Sequence, residues 1–162
     1  MVQDIRDIIT DVSVTADVTL VTVYNLPNKT EIMAKLFECL ADEGVNVDMI
    51  SLTPSQGLTQ TVSFSASDEA LTATLTTVGK IKGSYPDVRM DVNTSNCKLT
   101  FKGEAMKTRC GVAASVFASL GENGVEVKLV TTSETKISCL VDEAQMATVY
   151  DVLEKVYGLT NC

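Results

Sequence analysis

AKLFECLADEGVNVDMI at 34–50 lies over ASVFASLGENGVEVKLV at 114–130 at an offset of 80 residues, and these two stretches decide how the chain folds. Six of the 17 pairs are identical: Ala34/Ala114, Phe37/Phe117, Leu40/Leu120, Gly44/Gly124, Val45/Val125 and Val47/Val127. Further on, DEA at 68–70 matches DEA at 142–144 at an offset of 74, so the first copy is six residues longer between its matching blocks, around TPSQGLTQ. Loops are where copies of one module diverge in length. The chain therefore reads as a tandem duplication of a module of about 70–80 residues.

Each copy carries the same order of patterns. VTLVTVY (18–24) and KLTFKG (98–103) are rich in β-branched and aromatic residues and predict strands. A polar loop follows, NLPNKTE in one copy and EAMKTRCG in the other. Then Ile32, Met33, Leu36, Phe37 and Leu40 recur at helical spacing, as do Val112, Val116, Phe117 and Leu120. Gly44 and Gly124 stand where a helix C-cap belongs. VNVDMIS and VEVKLVT alternate apolar and polar residues, as half-buried strands do. LTQTVSFSA and TKISCLV predict third strands, and a second apolar helix ends each copy.

With VRMDV (88–92) as a closing strand, the first copy reads βαββαβ, an α+β, ferredoxin-like arrangement. The second copy has no closing strand before Cys162, whereas IITDVSVT (8–15) is a spare at the N-terminus. The expectation is that this spare completes the second module. Residues 1–16 would then be that strand, 17–93 the first domain and 94–162 the second.

Composition limits what the modules can do. The 162 residues contain no His and no Trp, with 13 Lys+Arg against 21 Asp+Glu for a net charge of −8. Without His there is no Ser-His or Cys-His nucleophile pair and no His-ligated zinc. An acidic chain is a poor partner for nucleic acid, where binding requires a basic patch. Five widely spaced cysteines without a CxxC pair predict free thiols in a reducing cytoplasm. No window approaches 18 apolar residues, so no membrane contact is expected. The N-terminus has no apolar signal-peptide run.

No catalytic constellation stands out. There is no GxGxxG, no GxxxxGK[ST] and no metal-ligand cluster, so the chain is expected to be no enzyme, with no cofactor and no metal. In TTSETK (131–136) a Ser or Thr nucleophile would have only Glu134 or Lys136 as a base. Cys110, beside Arg109 and Gly111 at a helix start, has the surroundings of a reactive thiol, and equally those of a small residue filling a loop. The junction between the first loop and its helix offers unpaired N–H groups to a carboxylate. Asn46 and Asp48 should face away from the core that takes Val45 and Val47, leaving Asp48 to hold an ammonium group. A free amino acid has both groups.

The stretches NVDMIS (46–51), GEAMKTRCGVAA (103–114) and TTSETKISCLV (131–141) resemble the C-terminal regulatory region of aspartate kinase, a tandem pair of ACT domains. The likeness runs from about Ile8 to Leu159. It implies the interlocked βαββαβ pair, binding of an end-product amino acid (lysine or threonine), and feedback inhibition of a kinase domain. It further implies a homodimer, possession of or association with an aspartate kinase catalytic domain, and an effector at the seam between modules of two subunits. Carried over by position, the ligand-binding set is Asn28, Lys29, Thr30, Glu31 and Ile32 with Asn46, Val47 and Asp48. Its counterparts in the second module are Thr108, Arg109, Cys110 and Gly111, with Glu126, Val127 and Lys128. The charges at Glu31, Glu126 and Lys128 depart from the family pattern and support a second reading, an effector-free dimerisation or docking scaffold. Nothing in the 162 residues resembles the family's kinase domain.

Overall fold

Asp17 and Ser95 hold the key to the backbone path, because both have positive φ (55° and 59°) in the middle of long strands. The computed structural model describes residues 5–54 and 57–159. Its elements are α1 (Ile5–Ile8), β1 (Asp11–Pro27), α2 (Thr30–Asp42), β2 (Ile50–Pro54), β3 (Thr59–Ser67), α3 (Leu71–Ser84) and β4 (Arg89–Lys102). They continue with α4 (Val112–Gly121), β5 (Val127–Thr132), β6 (Lys136–Asp142) and α5 (Met146–Val152), the last running on into a π-helical turn at Leu153–Tyr157. The segments 8–15 and 18–24, expected as separate strands, thus form one strand, β1, and 88–92 and 98–103 form β4. Short polar residues tolerate the left-handed region better than most, so each strand turns at Asp17 or Ser95 without ending.

The chain divides at these same residues into two compact units. One is Asp17–Ser95. The other joins the stretch ending at Ala16 to the stretch starting at Asn96. In the Asp17–Ser95 unit the strands lie in the order β2-β3-β1-β4. β3 is antiparallel to both neighbours, pairing Val18 with Ser67 through Pro27 with Thr59 on one side and Ile50 with Phe64 on the other. Its core takes Val21, Val23, Leu36, Leu40, Val62 and Phe64. Phe37 meets Phe64 edge-on at 5.9 Å between ring centroids.

The second unit repeats this order as β5-β6-β4-β1, with the N-terminal part of β1 in the closing position. Both units are ferredoxin-like, as the sequence pattern predicts. Ile9 and Val12 are buried in the core with Leu99, Phe101, Val116, Leu120 and Val149. The Thr10 N–H donates to the Lys102 carbonyl at 2.9 Å. Strand structure was expected from Ile8, but Ile5–Ile8 is a helical turn and the strand starts at Asp11. The Ile8 carbonyl sits so close to Gly103 that a Cβ there would lie 1.7 Å from its oxygen, so only glycine lets the N-terminal segment pass.

The strands expected at VNVDMIS and VEVKLVT also start late. The β2 ladder begins at Ile50, because Ser65 pairs irregularly with Asp48 and Met49. The Asp48 N–H donates to the Ser65 carbonyl, the Ser65 N–H donates to the Met49 carbonyl, and the Met49 N–H donates to Ser65 Oγ, all at 3.0 Å. Residues 45–49 still alternate: Val45 and Met49 are buried, and Asn46 and Asp48 are exposed. No helix among the described residues is long and apolar enough to cross a membrane.

Candidate functional site

The junction at Asn28–Ile32 is built by β1 running out beside the β2–β3 hairpin. The Asn28 N–H donates to the Leu58 carbonyl, and the Lys29 N–H to the Pro27 carbonyl, each at 2.8 Å. Gln60, buried, anchors the same Pro27 carbonyl through its side-chain amide at 3.1 Å. Lys29 is the helix N-cap and its side chain makes no capping bond. Asn28, Lys29, Thr30 and Glu31 are exposed, and Ile32 turns into the core.

Asn46, Val47 and Asp48 belong to the opposite end of this unit. Helix α2 starts at Thr30 and its 13 residues carry the chain about 20 Å before the turn at Gly44. The β3 register agrees, because Asn28 bonds at Leu58, before β3, whereas Asp48 bonds at Ser65, near its end. The structure therefore does not bring the two halves of the expected site together within one module. The alternation in 46–48 gave the right exposure but not the position along the strand. Val47 is half-buried and packs against the core.

Glu126 and Val127 lie at the corresponding end of the second unit. The Glu126 N–H donates to Gln145 Oε1 at 3.0 Å, and the Gln145 amide returns to the Gly124 carbonyl at 2.8 Å. Beside them, Lys128 folds inward. Its Nζ donates to Asn96 Oδ1 at 2.7 Å and to Asp142 Oδ2 at 3.1 Å. The Ala144 N–H and the Lys128 ammonium together hold the Asp142 carboxyl below the usual carboxylate range.

The other end of the second unit holds an open cavity of about 410 Å³. The loop from Gly103 to Gly111 forms one wall, with a 3-10 turn at Glu104–Thr108. The β5–β6 hairpin forms the other wall, joined to it by the Gly103 N–H donating to the Thr135 carbonyl at 3.0 Å. Gly111, at φ 83°, takes the left-handed turn that starts α4. The apolar floor is Met106, Val112, Ala113 and Ile137. Lys107, Arg109 and Glu134 supply charge, and Thr132 and Ser133 supply hydroxyls. Glu104 Oε2 accepts from Lys107 Nζ at 2.9 Å.

In sequence these residues read as two separate features: TTSETK as hydroxyls with only Glu134 or Lys136 as a base, and Arg109 as a counterpart of Lys29. What joins them is the hydrogen bond from Gly103 to Thr135, 32 residues apart in the chain, and the repeat itself is the signal that could have paired them. Among the described residues, no group of three His, Cys, Asp or Glu could hold a metal. Cys110 is exposed next to Gly111, and Cys39, Cys97 and Cys139, the last two buried, are in no disulfide among the described residues. Burial pushes the Cys139 thiol up to about 12. Cys162 lies outside the described residues.

Comparison with known proteins agrees with this architecture. A family model described as an ACT domain matches residues 99–157. An aspartokinase of Geobacillus stearothermophilus is 36% identical over 142 residues, covering 88% of this chain and 34% of that protein. An aspartokinase of Bacillus sp. (strain MGA3) is 33% identical over 144 residues, covering 89% of this chain and 35% of that protein. The chain thus spans about a third of the length of the curated relatives it matches. Among solved structures, aspartokinase alpha and beta subunits superpose with a TM-score of 0.83 at 28% identity, over 93% of this chain and 99% of that one.

Proposed function

This chain belongs to the ACT-domain regulatory regions of the aspartokinase family, and from that premise we propose that it senses a free amino acid, lysine or threonine, in the cytoplasm. The observation that carries this reading is the cavity of the second unit, which sets a cation, a carboxylate and hydroxyls around an apolar floor. Ligand pockets of this kind combine apolar walls with a few placed polar groups. Arg109, with the start of α4 beside it, suits the effector's carboxylate, and Glu134 suits its ammonium. The 162 residues match regulatory subunits and contain no kinase domain of their own, so the chemistry belongs to a kinase domain with which this region works.

The mechanism is linkage. A ligand that binds one arrangement of the regulatory region more tightly shifts the population toward it, and the kinase reads that shift. A homodimer fits the open edge of the first unit, where Ile50 and Leu52 on β2 are 48% and 45% exposed although they lie opposite the buried Phe64 and Val62. Asn28–Ile32 of one subunit and Asn46–Asp48 of another can form a second effector position only across such a seam, because α2 separates them within one module.

Thermal denaturation against a panel of free amino acids tests the proposal. A ligand at 100 times its Kd adds about 2.7 kcal/mol of stability. One amino acid should raise the melting temperature while the others leave it unchanged. A flat panel with a persistent dimer contradicts sensing and supports the scaffold reading.

A further inference from the structure

We infer that Asp68 is a latch on the strand crossover: its carboxylate holds β1 and β4 where both strands bend out of the Asp17–Ser95 unit, and keeps Ser95 in its left-handed conformation. The latch is a conformational device and does not depend on which ligand the region takes.

β1 and β4 cross the boundary of this unit at Asp17 and Ser95, with φ of 55° and 59°. Aspartate enters the left-handed region more readily than serine does. A residue with a Cβ persists there only when its surroundings hold it. At Ser95 the hold is visible. The Ser95 N–H donates to Asp68 Oδ2 at 3.3 Å, and the Thr19 hydroxyl donates to Asp68 Oδ1. Thr19 is buried and stands two residues past Asp17 on β1. The β1–β3 ladder ends at Val18 opposite Ser67, so Asp68 is the first residue beyond it. One carboxylate thus grips both crossing strands at their bends, and all three residues belong to the same unit.

Asp68 is available for this because its neighbour does the local work. Ser67 Oγ accepts from the Glu69 N–H at 3.3 Å and caps the 3-10 turn Asp68–Ala70. In the second unit the equivalent turn, Glu143–Gln145, is capped by Asp142, whose Oδ1 accepts from the Ala144 N–H at 2.9 Å. The other oxygen of Asp142 accepts from Lys128. The matching DEA letters therefore conceal a one-residue change of role. Ser67 is the structural counterpart of Asp142, and Asp68 is released to reach β1 and β4.

A region that works by shifting between arrangements needs an element with two settings. With the latch closed, Ser95 keeps a conformation that serine does not favour. With it open, water takes both donors and Ser95 relaxes to ordinary strand geometry. Asp68 is partly exposed, so water reaches it.

Amide hydrogen exchange and thermal melting of the full chain test the latch, with Asp68→Ala, Asp68→Asn, Thr19→Val and Ser95→Gly. Asp68→Ala should speed exchange at the residue 95 amide at least tenfold. Asp68→Asn should change it less than threefold, because the substituted amide can accept from Ser95 and donate to the Thr19 hydroxyl. Thr19→Val keeps the side chain's shape, removes one donor, and should speed exchange at residue 95 at least threefold. Glycine takes the left-handed bend without steric cost. Asp68→Ala should therefore lower the Tm less than half as much beside Ser95→Gly as it does alone. A hydrogen bond unconnected with the bend gives equal drops in both backgrounds, and that result overturns the latch. Unchanged exchange at residue 95 in Asp68→Ala overturns it too. If Asp68→Ala does not fold, unchanged exchange in Thr19→Val overturns it instead.

Discussion

The two units are copies of one module, and their matching ends have been put to different uses. In the second unit the first loop is longer, includes a 3-10 turn, and leans on the β5–β6 hairpin to enclose a charged cavity. In the first unit the equivalent loop is short, and Asn28 is tied directly to Leu58. At the far ends the contrast reverses. Asp48 has an exposed side chain, whereas its counterpart Lys128 is drawn into the surface by Asn96 and Asp142. The helices diverge too, because Phe37 packs on Phe64 while Phe117 is 37% exposed. Duplication fixed the framework. Substitution at the loop and strand ends then set the two copies apart.

The largest effects should come from the framework that the copies share. Phe64→Ala and Phe101→Ala each remove a fully buried ring and should each cost about 3–5 kcal/mol. Urea denaturation measures the loss, and hydrogen exchange should place it in Asp17–Ser95 for Phe64 and in the other unit for Phe101. A loss well under 2 kcal/mol for one of them breaks the claim that the two cores are equivalent.

Gly103→Ala comes next, at about 2–3 kcal/mol, since its Cβ would press on the Ile8 carbonyl. Exchange protection should fall first in the N-terminal segment and in β4. A neutral substitution, measured by thermal melting, would mean that the N-terminal segment is free to move aside.

A smaller effect concerns the internal cation. Asp142 is held below the ordinary carboxylate range, first by the Ala144 N–H and then by Lys128. A carboxyl whose folded value is lowered contributes stability above its unfolded value, near 3.9, and that contribution is lost as the pH falls through the folded value. Lys128→Met should move the Asp142 titration upward, though not the whole way, because the Ala144 bond remains. Carboxylate NMR titration reads this directly, and an unmoved midpoint would remove Lys128 from the account. Least costly is the thiol comparison: a thiol reagent at pH 8 should modify Cys110 in the folded protein and reach Cys139 only on unfolding, as peptide mapping will show.

Much of the fold was legible in the repeat. The shared Gly-Val-x-Val and the helical spacing of Leu36, Leu40, Val116 and Leu120 reflect local preferences and burial, which are periodic in sequence. The continuity of β1 and β4 was not legible, because Asp17 and Ser95 look like strand breaks until their backbone angles are known. Nor was the helical turn before Asp11, whose last residue, Ile8, lies against Gly103 across the fold. The site was legible only in pieces. Lys29, Asp48, Arg109 and Glu134 could each be singled out by chemistry. Which of them meet depends on α2 separating one pair and on the Gly103–Thr135 hydrogen bond uniting the other.

The central claim is that the second unit's cavity binds the effector within a single chain. Titrating the isotopically labelled protein with the amino acid that raises its melting temperature, and following backbone amide shifts, tests it most directly. The account predicts that the largest shifts fall at 106–113 and 132–137. Shifts confined to 28–32 and 46–48, with the cavity amides unmoved, would contradict it.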